Sequence, residues 1–169
     1  MPIHNFSFHG VPGSPAQQPA PPRPLPPALI EIGPVLQVLV EVPGPLAARL
    51  QAEGTPIPSP AIGLALIDTR PTRSAVDDAV IQALGVQPSG VVNVGTAAGF
   101  QRQYLYSAKF SFPGANLPTL EFAQLTGVHL AGHLVPHLNR PLIVLIGRDI
   151  LSRFVMIYHG PSASITLAY

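Results

Sequence analysis

Asp68 and Thr69 stand where an apolar run, Leu64-Ala65-Leu66-Ile67, gives way to a polar turn, Arg70-Pro71-Thr72-Arg73-Ser74. A carboxylate at the mouth of a buried strand is held rigid and partly dry yet stays reachable, which suits it to activate water as a general base. Roughly eighty residues later a second apolar run, Leu142-Ile143-Val144-Leu145-Ile146, ends in Gly147-Arg148-Asp149-Ile150-Leu151. Taken alone, Asp68 is also what a strand-end turn residue looks like, its side chain bonded to the backbone just ahead. A rival set is His129, His133 and His137, spaced four apart, which on a helix would align three imidazoles suited to zinc, copper or nickel. Pro136 would break that helix, Gly127 and Gly132 punctuate the stretch, and no Glu follows a His in the His-Glu-x-x-His zinc pattern. No metal or other cofactor is therefore expected. His4, His9 and His159 show no partner pattern.

The elements that must position these residues are mostly strands. Val35–Val42 is rich in β-branched residues, and Ile62–Ile67 leads into Asp68. Val91–Val94, Gln101–Phe112, Leu120–Leu125, Leu142–Ile146, Val155–Tyr158 and Ser164–Ala168 complete the set. Within the longest, Tyr104, Tyr106, Ala108, Phe110 and Phe112 alternate with Leu105, Ser107, Lys109 and Ser111, the period of a half-buried strand. Pro45 at a first helical position, Leu46 and Leu50 four apart, and Gly54 beyond the end predict one short helix. Ser74 as cap, Asp77 in the first turn, an apolar stripe of Val76, Val80, Ala83 and Leu84, and Gly85 as stop predict another. His159-Gly160-Pro161-Ser162 reads as a hairpin turn between the last two strands. The sum is a mostly-β, barrel-like fold.

Composition limits the function classes. A chain of 169 residues predicts one globular domain with a real core, here residues 29–169. Residues 1–28 form a proline-rich arm or linker, because eight of the sixteen residues from Pro12 to Pro27 are proline and cannot join a helix or a sheet interior. Pro21-Pro22-Arg23-Pro24 and Pro24-Leu25-Pro26-Pro27 resemble ligands of proline-recognising domains, and a passive tether or an arm packed on the domain is the plainer alternative. Charged residues make up only 10%, and the nine basic residues are scattered, so no nucleic-acid partner is expected. The absence of cysteine removes disulfides, thiol catalysis and Cys-ligated zinc together. No apolar run approaches the ~20 residues of a membrane helix, and Met1-Pro2-Ile3-His4 lacks a leader's basic and apolar regions. A cytoplasmic protein is expected.

The two strand-and-turn segments together resemble the retropepsin-like aspartic proteases. That family carries hydrophobic-hydrophobic-Asp-Thr/Ser-Gly and, later, hydrophobic-Ile/Leu-Gly-Arg-Asp/Asn-hydrophobic-Leu. Between them, Val91-Val92-Asn93-Val94-Gly95-Thr96-Ala97-Ala98-Gly99-Phe100-Gln101-Arg102-Gln103-Tyr104 looks like the family's flap hairpin. The resemblance covers roughly residues 33–169. It implies a single-lobe closed β-barrel with a flap hairpin and two or three short helices. It further implies a homodimer acting on peptide or protein substrates, in which two copies of Asp68 share one proton and Thr69 locks the two loops through its hydroxyl. Gly95, Thr96, Ala97, Ala98 and Gly99 would form the flap tip that closes on substrate, and Gly147, Arg148 and Asp149 would support the catalytic loop structurally. The terminal Ile165-Thr166-Leu167-Ala168-Tyr169 resembles the strand through which retropepsins dimerise, although it can equally pair within its own domain.

Arg70 departs from the motif, which has glycine there. The family's glycine lies against substrate and partner loop, where no side chain fits. Arg70 adds a long cation, and Pro71 biases its backbone to extended values. Three outcomes follow for the enzyme: an acid-shifted optimum, a fold kept for binding or dimerisation after catalysis was lost, or an Arg70 that swings into the groove and selects acidic side chains.

Overall fold

Parallel pairing of two apolar strands, β3 (Ala61–Ile67) and β9 (Arg140–Ile146), is the arrangement around which the chain is organised. The computed structural model describes residues 3–7, 29–30, 32–96, 99–115, 117–130, 134–135 and 138–168. Starting from β2 (Val35–Glu41), neighbours run β2–β3 antiparallel and β3–β9 parallel. Next, β9 pairs antiparallel with β4 (Ala75–Asp77), and β4 parallel with β7 (Leu120–Val128). An antiparallel β7–β6 pair follows, β6 being Gly99–Ser111, and a short β6–β2 pairing at Leu39–Ser111 closes the circuit. The result is a mostly-β, closed six-stranded barrel with three helices among the described residues. β5 (Gly90–Thr96) pairs only with the first half of β6, so this hairpin projects from the barrel. A two-residue strand, β8 (Leu134–Val135), pairs with β9.

The barrel interior is filled by side chains of alternate strand positions, as in small closed barrels. Val38, Val40, Ala65, Val76, Tyr106, Ala108, Phe110, Leu125 and Val144 are all fully buried. Each large apolar member contributes about 1.5–3 kcal/mol by leaving water. Alternation along β6 holds from Tyr106 to Phe112 but fails at Tyr104, which is 53% exposed. The reason is geometric: Tyr104 lies on the half of β6 that has left the barrel for the hairpin, opposite Val91.

Helix α1 (Gly44–Ala52) follows its sequence signals, with Pro45 in the first turn and Gly54 at φ +67° beyond the end. Its leading N–H, on Gly44, donates to Glu121 Oε1 at 2.7 Å. Helix α2 differs from expectation. It spans Asp78–Ala83, and its cap is Asp77, whose Oδ1 accepts from Ala79 N and Val80 N at 3.0 and 3.1 Å. Ser74 does not cap it, because residues 75–77 are drawn into the sheet between β7 and β9. Within the helix Ile81, outside the expected stripe, is buried, and Ala83, inside it, is exposed. Helix α3 (Arg148–Leu151) is a single turn directly after β9.

A second sheet joins the chain ends. β10 (Val155–His159) and β11 (Ser164–Ala168) form the expected hairpin over a 3-10 turn at Gly160–Ser162, with Ala163 left-handed at φ 47°. The other edge of β11 is taken by β1 (Ile3–Ser7), antiparallel, with Ile3 opposite Ala168. Five residues of the N-terminal arm are thus a strand. The proline-rich stretch Pro12–Pro27 lies outside the described residues.

Tyr106 gives this core a pH signature. Its side chain is wholly buried, and its hydroxyl accepts from Gln82 Nε2 at 3.0 Å. Burial pushes the phenol above the ordinary tyrosine value; the Gln82 bond opposes the rise, and the charge of Asp78 adds to it. A raised value means that the folded state holds the proton more tightly. The stability involved is complete below the unfolded value near 10 and is lost as pH rises through the folded value. When phenolate absorbance is followed against pH, the transition that Tyr106→Phe removes should lie above the ordinary tyrosine value near 10. In Tyr106→Phe the alkaline loss of stability, measured against that variant's own stability near neutrality, should shrink.

Candidate active site

Because β3 and β9 run parallel with Ile67 beside Ile146, the chain leaves both strands at the same end of the barrel. Asp68 N extends the ladder by one bond, to Ile146 O at 3.0 Å. Two segments far apart in sequence are therefore neighbours, and the turn 68–74 lies across the start of α3. Its carbonyls serve the helix's leading N–H groups, which have no partner inside the helix. Arg148 N donates to Pro71 O at 3.0 Å, and Asp149 N to Thr72 O at 3.1 Å.

Ser74 locks this crossing. It is fully buried. Its N–H donates to both oxygens of Asp149, at 3.0 and 2.9 Å, and its Oγ donates to Asp149 Oδ1 at 2.7 Å. The same Oγ accepts from Gly147 N at 2.9 Å, and Ser74 O accepts from Thr126 N at 3.1 Å. Gly147 is glycine for want of space: a Cβ there would stand 2.7 Å from the carbonyl carbon and oxygen of Arg73 and 2.9 Å from Ser74 N. The structural part expected of Gly147 and Asp149 is thus given concrete contacts, and Arg148 adds a bond from Nη2 to Thr72 Oγ1 at 2.9 Å.

Held in this way, Asp68 is half-buried and opens onto a cleft of about 610 Å³. The floor comes from Asp68, Arg70, Arg73, Ala75 and Leu145, and the roof from Val92, Val94, Gly95 and Gln103 of the β5–β6 hairpin. Asp68 Oδ1 accepts from Arg70 N at 2.9 Å, which fixes the carboxylate to its own turn. Arg70 is exposed and lines the cleft beside Asp68. Thr69 is exposed, does not line the cleft, and its hydroxyl has no partner among the described residues. At the hairpin tip Thr96 pairs with Gly99, whose φ of +108° favours glycine, and Gly95 pairs with Phe100. Ala97 and Ala98 lie outside the described residues.

The structure brings together Asp68, Arg70 and Gly95 of the residues singled out from sequence, and adds Arg73, Asn93 and Gln103. Arg73 carried no motif signal; its place in the cleft depends on the crossing just described. His129 is exposed, while His133 and His137 lie outside the described residues. No group of three metal-binding side chains occurs among the described residues. A second hollow, of about 690 Å³, is bounded by Pro43, Leu46, Val86, Ser107, Glu121 and Phe122. Its one carboxylate, Glu121, is already bonded to Gly44 N. No residue of β5 lines it, whereas β5 supplies Val92, Asn93, Val94 and Gly95 to the Asp68 cleft. No helix among the described residues is long and apolar enough to cross a membrane. Neither a protein-family model nor a curated protein sequence matches the chain.

The crossing predicts two stability losses. Ser74→Ala leaves the buried Gly147 N–H unpaired and strips a bond from Asp149, at a cost of about 1–3 kcal/mol. Gly147→Ala forces a Cβ against backbone that cannot swing aside, with a penalty of about 1–3 kcal/mol. Both should lower the midpoint in urea unfolding, whereas Gly54→Ala should act only through its positive φ, since nothing lies within 4 Å of that site.

Proposed function

We propose that this chain is an aspartic endopeptidase of the retropepsin-like class that works as a homodimer, each copy supplying one Asp68. The observation that supports the reading best is a single half-buried acid, fixed at the end of a buried strand, facing a projecting hairpin across a peptide-sized cleft. Peptide hydrolysis by carboxylates needs two of them. One acts as base toward water, and the other, protonated, as acid toward the departing amine. Each chain offers one such acid, and a two-fold axis between two copies would set Asp68 opposite its mate. The β5–β6 hairpin would close over the substrate and exclude water. Thr69, exposed and without a hydrogen-bond partner among the described residues, would have its hydroxyl available to the facing loop.

Both edges of β11 are occupied within the chain, by β1 and β10. The dimer would accordingly use the apolar side chains left uncovered on β10, where Val155, Ile157 and Tyr158 are each more than half exposed. Covering an exposed apolar edge strand is the usual fate of such a surface.

Arg70 supports a second reading. It fills part of the cleft where the motif has glycine, next to the carboxylate. On that reading the fold is a binding or dimerisation module whose catalysis is impaired.

Cleavage of a peptide library from about pH 3 to 8 separates the two. Asp68→Asn should lower turnover by about 100-fold or more, the scale of a lost acid–base group, and chelators should leave it unchanged. Arg70→Gly should raise cleavage of neutral peptides by clearing the groove. Sedimentation of the wild type should show a dimer at micromolar concentration. An intact dimer that cleaves nothing, with or without Arg70, would favour the binding module.

A further inference from the structure

The Asp68 cleft adjoins a hollow of about 670 Å³ lined by Thr72, Arg73, Gln124, Arg148 and Asp149, and the two share Thr72 and Arg73. The two guanidinium groups here are oriented but not neutralised. Arg73 Nη1 donates to Gln124 Oε1 at 2.9 Å, and Arg148 Nη2 to Thr72 Oγ1 at 2.9 Å, both acceptors being uncharged. The ion pairs of the described residues lie elsewhere, at Arg49–Glu53 and Lys109–Glu41. Asp149, the one carboxylate in the hollow, has both oxygens turned to Ser74. With Arg70 on the cleft floor, three cations face two carboxylates, and one of those carboxylates is committed to the loop crossing.

A guanidinium carries five donors in a planar fork, and Arg73 spends one on Gln124. The remaining donors match a carboxylate, which can accept two parallel bonds. Gln124 holds the fork in place in advance, so less side-chain freedom is lost when a ligand arrives.

We infer that Arg73, with Arg148 behind it, selects peptides that carry an acidic side chain a few residues from the segment lying at Asp68. The inference builds on the protease reading for the reaction, but the binding preference rests on charge and geometry alone. Arg73 is the specificity-determining residue, because it belongs to both the cleft and the hollow. Arg148 adds to the field while bonded to Thr72.

The test uses the full chain carrying Asp68→Asn and fluorescent peptides with amidated ends, identical except for Glu or Gln at one position. Anisotropy should show Glu peptides binding about two- to fivefold tighter at low salt, the range for an exposed charge pair, with the difference fading by roughly 0.5 M salt. Adding Arg73→Glu should invert the preference toward Lys, while Arg140→Glu, at the far end of β9, should leave it intact. A parallel cleavage assay with wild-type Asp68 should show the same ranking in kcat/KM. Equal binding of Glu and Gln peptides, or a preference that survives Arg73→Glu, overturns the inference even if cleavage is observed. Binding seen only with a parallel set of the same peptides bearing free C-termini also overturns it, in favour of a terminal-carboxylate site. Acid preference that depends on Arg73, with no cleavage by the wild type, upholds the inference and removes the protease reading.

Discussion

The bonds between Ser74 and Asp149 are the constraint on which the rest of the structure depends. A turn that must present an acid at a fixed place has few internal contacts, so it needs an external anchor. Here a carboxylate accepts a backbone N–H and a hydroxyl from a fully buried serine, and charge-assisted bonds of this type are stronger than neutral ones. The serine hydroxyl passes the constraint on to Gly147 N, and its carbonyl passes it on to Thr126 in β7. One residue thus ties the turn after β3, the helix after β9 and the neighbouring strand. The parallel register of β3 and β9 makes this possible, because only parallel strands release their chains on the same side.

Most of the strands were legible as short β-branched or alternating runs, and the two motif segments marked the ends of β3 and β9. Several features were not. Ser74 and Asp77 are both good cap residues, and local preference cannot rank them; β4's pairing with two strands distant in sequence decides for Asp77. The alternation of β6 is real, but periodicity carries no information about where a long strand leaves the barrel, so Tyr104 reads like Tyr106 and is not. Arg73 looks like an ordinary polar-turn residue until the turn is laid across α3. β1 has no strand signature at all, and its pairing is set by β11.

Charge is distributed unevenly around the cleft. The core and its helices spend their carboxylates locally, with Asp77 on α2 and on Leu130 N, Glu121 on α1, and Glu41 on Lys109 and Ser111. The arginines around Asp68 receive none of them. In a chain with so few charged residues, three arginines beside two aspartates at one mouth leave a local excess of positive charge, which acts over about the 8 Å of physiological screening.

The pairing of β1 with β11 has a consequence for how the molecule is made. Residues 3 and 168 are strand neighbours, so β1 finds its place only after β11 has been made. During synthesis the barrel strands can pair while β1 waits, and closing so long a loop costs more entropy than closing the hairpins between neighbouring strands. The proline content of residues 12–27 then reads as protection during that interval: an intervening segment that cannot join a sheet interior is a poor template for premature or foreign strand pairing.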